Sequence, residues 1–187
     1  MTTKLEAINC MLQCIGQSPL STLEGTRSAF TVSAITLLDN ETVNLQMKGW
    51  DFNTEENYVL QPDENKHIYI TEDMLLVKVP TYYKNRYVIR AGKIYDKYKH
   101  SFEIDNSIEV TVVFGFDFED LPEVVKNYVK MSAAYKLTKR ELGSQTTCVY
   151  TQEDLLEAKA DMELHELTTG SYTMIPEYYN NDIKESL

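Results

Sequence analysis

The 187-residue sequence predicts an α+β fold: a four-helix core, two helices before and two after, with a small antiparallel β region inserted between the pairs. Three observations carry that reading. Apolar residues recur at helical spacing in four segments. Four of the seven glycines, Gly16, Gly49, Gly143 and Gly170, fall just past those segments, where a left-handed C-terminal cap favours a residue without Cβ. Between the second and third segments the texture changes to short runs of β-branched and aromatic residues.

The first helix is expected over about residues 4–15. Thr3 and Glu6 form a capping-box pattern, Leu5, Ile8, Leu12 and Ile15 form its apolar stripe, and Gly16 followed by Pro19 closes it. Residues 28–48 repeat the periodicity with Phe30, Ala34, Leu37, Leu38 and Leu45, against the lower propensity of several Thr and Val. Strand candidates follow at 50–52, 58–60, 67–70, 75–79, 87–89, 94–95 and 108–114, with Arg90, Ala91, Gly92 and Lys93 as a hairpin turn.

Helical spacing returns after Asp120, which can cap, with Pro122 in the first turn and Glu123 at the positive end of the dipole. Leu121, Val124, Val125, Tyr128, Met131, Tyr135 and Leu142 make a face wide enough for burial on more than one side. Thr151 is placed to cap a last helix with Leu155, Leu156, Ala160, Met162 and Leu167 as its stripe. The expected organisation is a single unit, 1–187: helical core about 3–49 and 120–170, β insertion about 50–118, tail 171–187. Short links around Gly16 and Gly143 favour helical hairpins.

Eighteen Lys and Arg against 29 Asp and Glu leave a net charge of -11, which argues against phosphate-backbone binding as the main role. No apolar run approaches the roughly 20 residues that span a bilayer, and Glu6, Asn9 and Gln13 interrupt any leader-like N-terminus, so a soluble protein without a membrane role is expected. Cys10, Cys14 and Cys148 support neither a disulfide framework nor a zinc site, and the first two read as small core residues.

Chemistry-bearing motifs are scarce. His67, His100 and His165 lie far apart with no metal-ligand spacing, and no glycine pair has the spacing of a nucleophile elbow, P-loop or dinucleotide fingerprint. Glu55 and Glu56 with Asp117 could serve as an acid/base carboxylate set in a small soluble hydrolase of cell wall or polysaccharide, but 29 acidic residues make such clusters inevitable. The basic stretch 84–99 interleaves Lys84, Arg86, Arg90, Lys93, Lys97 and Lys99 with Tyr87, Tyr95 and Tyr98, in the manner of a nucleic-acid face; an exposed hairpin or a subunit contact suits an acidic chain better. Thirteen tyrosines hint at assembly, because interfaces favour an apolar ring with a polar tip. Tyr82 and Tyr83, and in the tail Tyr172, Met174, Ile175, Tyr178 and Tyr179, are the candidate partner contacts. No cofactor, metal or catalytic residue is expected.

Five segments then stand in a familiar order: INCMLQCIGQSPLSTL at 8–23, containing Gly16 and Pro19; KGWDFN at 48–53, containing Gly49, Trp50 and Phe52; RAGKIYD at 90–96, containing Gly92; LPE at 121–123, containing Pro122; and GSYTMI at 170–175. Together they resemble the tail tubular protein A family of short-tailed bacteriophages, also called the gatekeeper or head-to-tail adaptor ring. The resemblance spans nearly the whole chain, with Gly-Trp-x-Phe-Asn its most specific element, and is loosest over 61–84 and 100–106.

That resemblance implies a non-enzymatic virion protein at the portal vertex, made in the host cytoplasm. It implies a homo-oligomeric ring of about twelve copies between the portal protein and the distal tail tubular or nozzle protein, with tail fibres as further neighbours. DNA would pass through without specific binding, and the acidic charge would keep phosphate from sticking.

Overall fold

A computed structural model describes residues 1–25, 27–83, 85–143 and 152–170. Four helices, α1 (Lys4–Cys14), α2 (Ala29–Gln46), α3 (Glu123–Leu142) and α4 (Gln152–Thr169), pack around α3, which touches each of the other three. Five strands, β1 (Thr54–Leu60), β2 (Met74–Lys78), β3 (Tyr87–Arg90), β4 (Lys93–Asp96) and β5 (Ile108–Phe114), form the insertion. The architecture is the α+β arrangement expected.

Helix α1 starts as its sequence dictates. The Thr3 side chain accepts from the Glu6 amide at 3.2 Å while the Glu6 carboxylate accepts from the Thr3 amide at 2.8 Å. At its end Gln17 N–H reaches Leu12 O at 2.9 Å and Gly16 N–H reaches Gln13 O at 3.0 Å, the two bonds of a Schellman closure. Asn9 then holds the chain leaving Pro19, donating to Leu20 O and accepting from Leu20 N–H. Ile8, Leu12, Ile15 and Cys14 are buried; Leu5 is half-buried. Fourteen residues, 15–28, separate α1 from α2, a longer link than Gly16 alone suggested.

In α2 the buried stripe is Thr31, Ala34, Leu38, Thr42, Leu45 and Gln46, not the purely apolar one expected: Phe30 is exposed. Thr42 donates its hydroxyl back to Leu38 O at 2.9 Å, so a β-branched polar residue can sit in the core without an orphaned group. In α3 the innermost residues are Val125, Val129, Ala133, Ala134 and Leu137, with Val124 and Tyr128 packed at the margin. Two alanines let neighbouring helices approach closely, which a search for large apolar residues misses. Pro122 is the cap residue itself, not part of the first turn, and Asp120 belongs to a preceding single turn of 3-10 helix, Phe118–Asp120. The carboxylates around the start of α3 instead cap the start of α1 across the fold: Glu123 accepts from Thr2 N–H at 2.8 Å, and Glu119 accepts from Lys4 N–H at 2.9 Å.

The β insertion has its own core, built on Leu60, Ile68, Ile94, Ile104, Ile108, Val110 and Val112. β5 is the central strand of an antiparallel sheet ordered β1, β5, β2, with Leu60 opposite Ile108 and Lys78 opposite Thr111. β3 and β4 make a separate hairpin, Arg90 opposite Lys93. Its two-residue turn places Ala91 at φ 49° and Gly92 at φ 69°, the left-handed pair that suits strand twist. Two strand expectations are corrected. Asp51–Asn53 forms a turn of 3-10 helix because Asn53 folds back on Trp50, and residues 67–70 make only a bridge, Tyr69 to Lys93, alongside β4.

Candidate interaction surfaces

The Gly-Trp-x-Phe-Asn element is the hinge between the two cores. Gly49 has φ +77°, and a Cβ there would stand 3.2 Å from Val113 Cγ2 and 3.3 Å from Thr54 Oγ1, so the residue is glycine for both backbone and space. Trp50 donates its indole N–H to Leu45 O at 2.8 Å and its amide to Asn53 Oδ1 at 2.9 Å. Asn53, buried, donates from Nδ2 to Gln46 O and Phe114 O. Trp50 and Phe52 both pack against the helical core, from the cap and the body of a 3-10 turn instead of a strand. Gln46 was missed. An interior glutamine carries no apolar signal, and only the end of β5 explains it.

On the β3–β4 hairpin the basic residues meet rings and carboxylates. Arg86 donates from Nε to Asp96 Oδ2 at 2.8 Å, and Asp96 also accepts from the Tyr98 and Lys99 amides. The Arg86 guanidinium, then the backbone N–H groups, hold the Asp96 carboxyl below the usual carboxylate range against the cost of burial. Lys66 and Lys99 both pair with Asp105 and draw its pKa down to about 2. Arg90 lies over Tyr95 at 4.3 Å, Tyr95 meets Phe102 edge-on at 5.0 Å, and Lys93 lies 4.6 Å over Tyr69. With Lys93 also 6.0 Å over Phe102, these contacts form one row, Arg90, Tyr95, Phe102, Lys93, Tyr69.

Tyr82 and Tyr83 sit in a turn of 3-10 helix, Thr81–Tyr83, with ring centroids 4.4 Å apart, and Tyr83 meets Tyr87 edge-on at 5.3 Å. Tyr82 is 62% exposed and Tyr83 half-buried. The neighbouring Tyr83 hydroxyl pushes the Tyr82 phenol up to about 12.

Helix α4 departs from the single stripe expected of it. Ala158 and Met162 are buried against the helical core, while Leu156, Leu164 and Leu167 stand 59%, 60% and 62% exposed and Ala160 is exposed beside them. At 3.6 residues per turn the second set lies on the opposite side of the helix from the first. Trp50 borders that outer stripe through a shallow apolar depression it shares with Glu163, Glu166 and Leu167. Thr151 and the tail contacts Tyr172, Met174, Ile175, Tyr178 and Tyr179 lie outside the described residues.

The carboxylates singled out for hydrolysis are exposed: Glu55 stands in β1 opposite Val112, Glu56 follows it at a bulge, and Asp117 precedes the turn before α3. Among the described residues no group of three or more His, Cys, Asp or Glu is placed to hold a metal ion, and no helix is long and apolar enough to cross a membrane.

A family model described as "Tail tubular protein" matches residues 5–172. The chain belongs to the tail tubular protein family. It is similar to tail tubular protein A of Klebsiella phage KP34, 26% identical over 151 residues, which covers 80% of each chain. A tail tubular protein is a structural component of a phage tail, so the outer face of α4 and the ring row of the hairpin belong to a molecule that works inside a larger particle.

Proposed function

We propose that this tail tubular protein is the head-to-tail adaptor: a subunit of a ring of about twelve copies that joins the portal to the distal tail protein and lines part of the DNA channel. The observation that carries the reading is the apolar face of α4 left uncovered among the described residues, three leucines about three-fifths exposed on a helix whose other side is already packed. A solitary protein gains nothing from that face, whereas an assembly buries it. The net charge of -11 fits a conduit, since an acidic wall does not hold phosphate and so does not stall the passing genome.

The segment after Gly170 is proposed as the arm that docks on the portal. It is aromatic and too short to build a core of its own. Truncation after Gly170 is expected to leave the melting transition of the rest in place and to abolish retention by immobilised portal complex, read by pull-down and negative-stain microscopy. Unimpaired retention overturns the arm, and absence of the protein from the tail vertex of purified particles overturns the adaptor.

A further inference from the structure

Two surfaces of this chain carry opposite charge beside exposed apolar groups. The α4 sequence carries six carboxylates against one lysine, Lys159. By the 100° step of a helix, Glu153 falls within the Leu156, Ala160, Leu164, Leu167 stripe, and Glu157 and Glu163 border it on either side. The hairpin presents the opposite pattern. Among the described residues no salt bridge engages Arg90, Lys93 or Lys97; Arg90 and Lys93 share the outer face of the hairpin, where Arg90 lies over Tyr95 and Lys93 over Tyr69, itself 49% accessible. One surface is apolar with an acidic border; the other is aromatic with a basic one.

We propose that the outer stripe of α4 docks on the β3–β4 hairpin of a second copy of this chain, Glu153 and Glu157 facing Arg90 and Lys93, as the contact that repeats round the ring. This rests on the ring reading above. Two unlike patches on one chain make a head-to-tail contact, which closes into a ring when the rotation per copy permits. The exposed apolar residues Phe30, Val32 and Val43 on α2 are a poorer mate for α4, because α2 contains Asp39 and Glu41 and no lysine or arginine. A cation and ring row is also what single-stranded nucleic acid stacks on, but nucleic acid would leave the α4 stripe uncovered.

Equal amounts of 14N- and 15N-labelled full-length chain, assembled on portal complex and coupled with a zero-length carbodiimide, test the contact by mass spectrometry. Expected are isopeptides joining Glu153 or Glu157 to Lys93 or Lys97 in light-heavy form, which only two different copies can make. Rings whose cross-links lie elsewhere, or join α4 to the hairpin or to Lys184 within one label only, overturn the docking and leave the ring standing. Failure of the wild-type chain to assemble at all overturns the ring itself.

Charge reversal gives the second measurement. Glu153→Lys with Glu157→Lys, and Arg90→Glu with Lys93→Glu, are each expected to weaken assembly at least tenfold by sedimentation, and the chain carrying all four to regain it. Loss without that recovery overturns the proposal. So does salt-sensitive DNA retention that Arg90→Glu with Lys93→Glu removes while assembly persists.

Discussion

The side chain of Gln46 is bonded to the backbone of Phe116 through both of its polar atoms: Nε2 donates to Phe116 O at 3.0 Å and Oε1 accepts from Phe116 N–H at 2.7 Å. The amide thus imitates a strand neighbour just beyond the end of β5, and ties the last residue of α2 to the chain that leads back into the helical core.

Removing that amide leaves the partner groups to find water or go without. Gln46→Ala is expected to lower unfolding free energy by about 2–3 kcal/mol, since paired and largely buried polar groups are lost together. Urea denaturation followed by circular dichroism reads it, and a loss under about 0.5 kcal/mol would show that solvent replaces the clamp at little cost.

Gly49→Ala places a Cβ against Val113 and Thr54 at a left-handed backbone. The expected cost is about 1–2 kcal/mol from the φ value alone, with the crowding in addition. An unchanged melting temperature would mean that the hinge relaxes to a right-handed conformation.

Thr54 presents a buried hydroxyl oxygen with no hydrogen-bond partner among the described residues. Thr54→Val keeps the shape and discards the orphaned group, so stability is expected to rise by about 1 kcal/mol. A fall instead would reveal a bonding partner for that hydroxyl.

Acid acts on the β insertion through Asp96 and Asp105. Both carboxyls ionise more readily folded than at the ordinary value of 3.8, Asp96 chiefly through Arg86 and Asp105, at about 2, chiefly through Lys66. A depressed folded value means that the stabilisation is present above 3.8 and drains away as the pH falls through the folded value. Thermal melts across the acid range should therefore decline toward about pH 2. Asp96→Asn is expected to be less stable at neutral pH and to decline less steeply there, and a decline identical to wild type removes Asp96 from the account.

Elements with local causes are legible in the sequence alone. The Thr3 and Glu6 box, the closure at Gly16, the strand Ile108–Phe114 and the turn between Arg90 and Lys93 each depend on residues a few positions apart, and each formed where expected. The start of α3 did not, because Pro122, which has no capping side chain, takes the cap position, and Glu119 and Glu123 accept instead from Lys4 N–H and Thr2 N–H at the start of α1, more than a hundred residues away. Lys126 is similar: its ammonium is buried and donates to Glu119 O at 2.6 Å, a placement no periodicity could reveal.

Order along the chain settled the plan of helices around an inserted sheet, since spacing, caps and glycines act over single turns. Which of the two apolar faces of α4 turns inward was decided only by packing. Ala158 and Met162 fit against α3, and Leu156, Leu164 and Leu167, equally apolar in the sequence, were left outside. Burial is a property of the space between elements, and a pattern on one helix does not carry the shape of its neighbour.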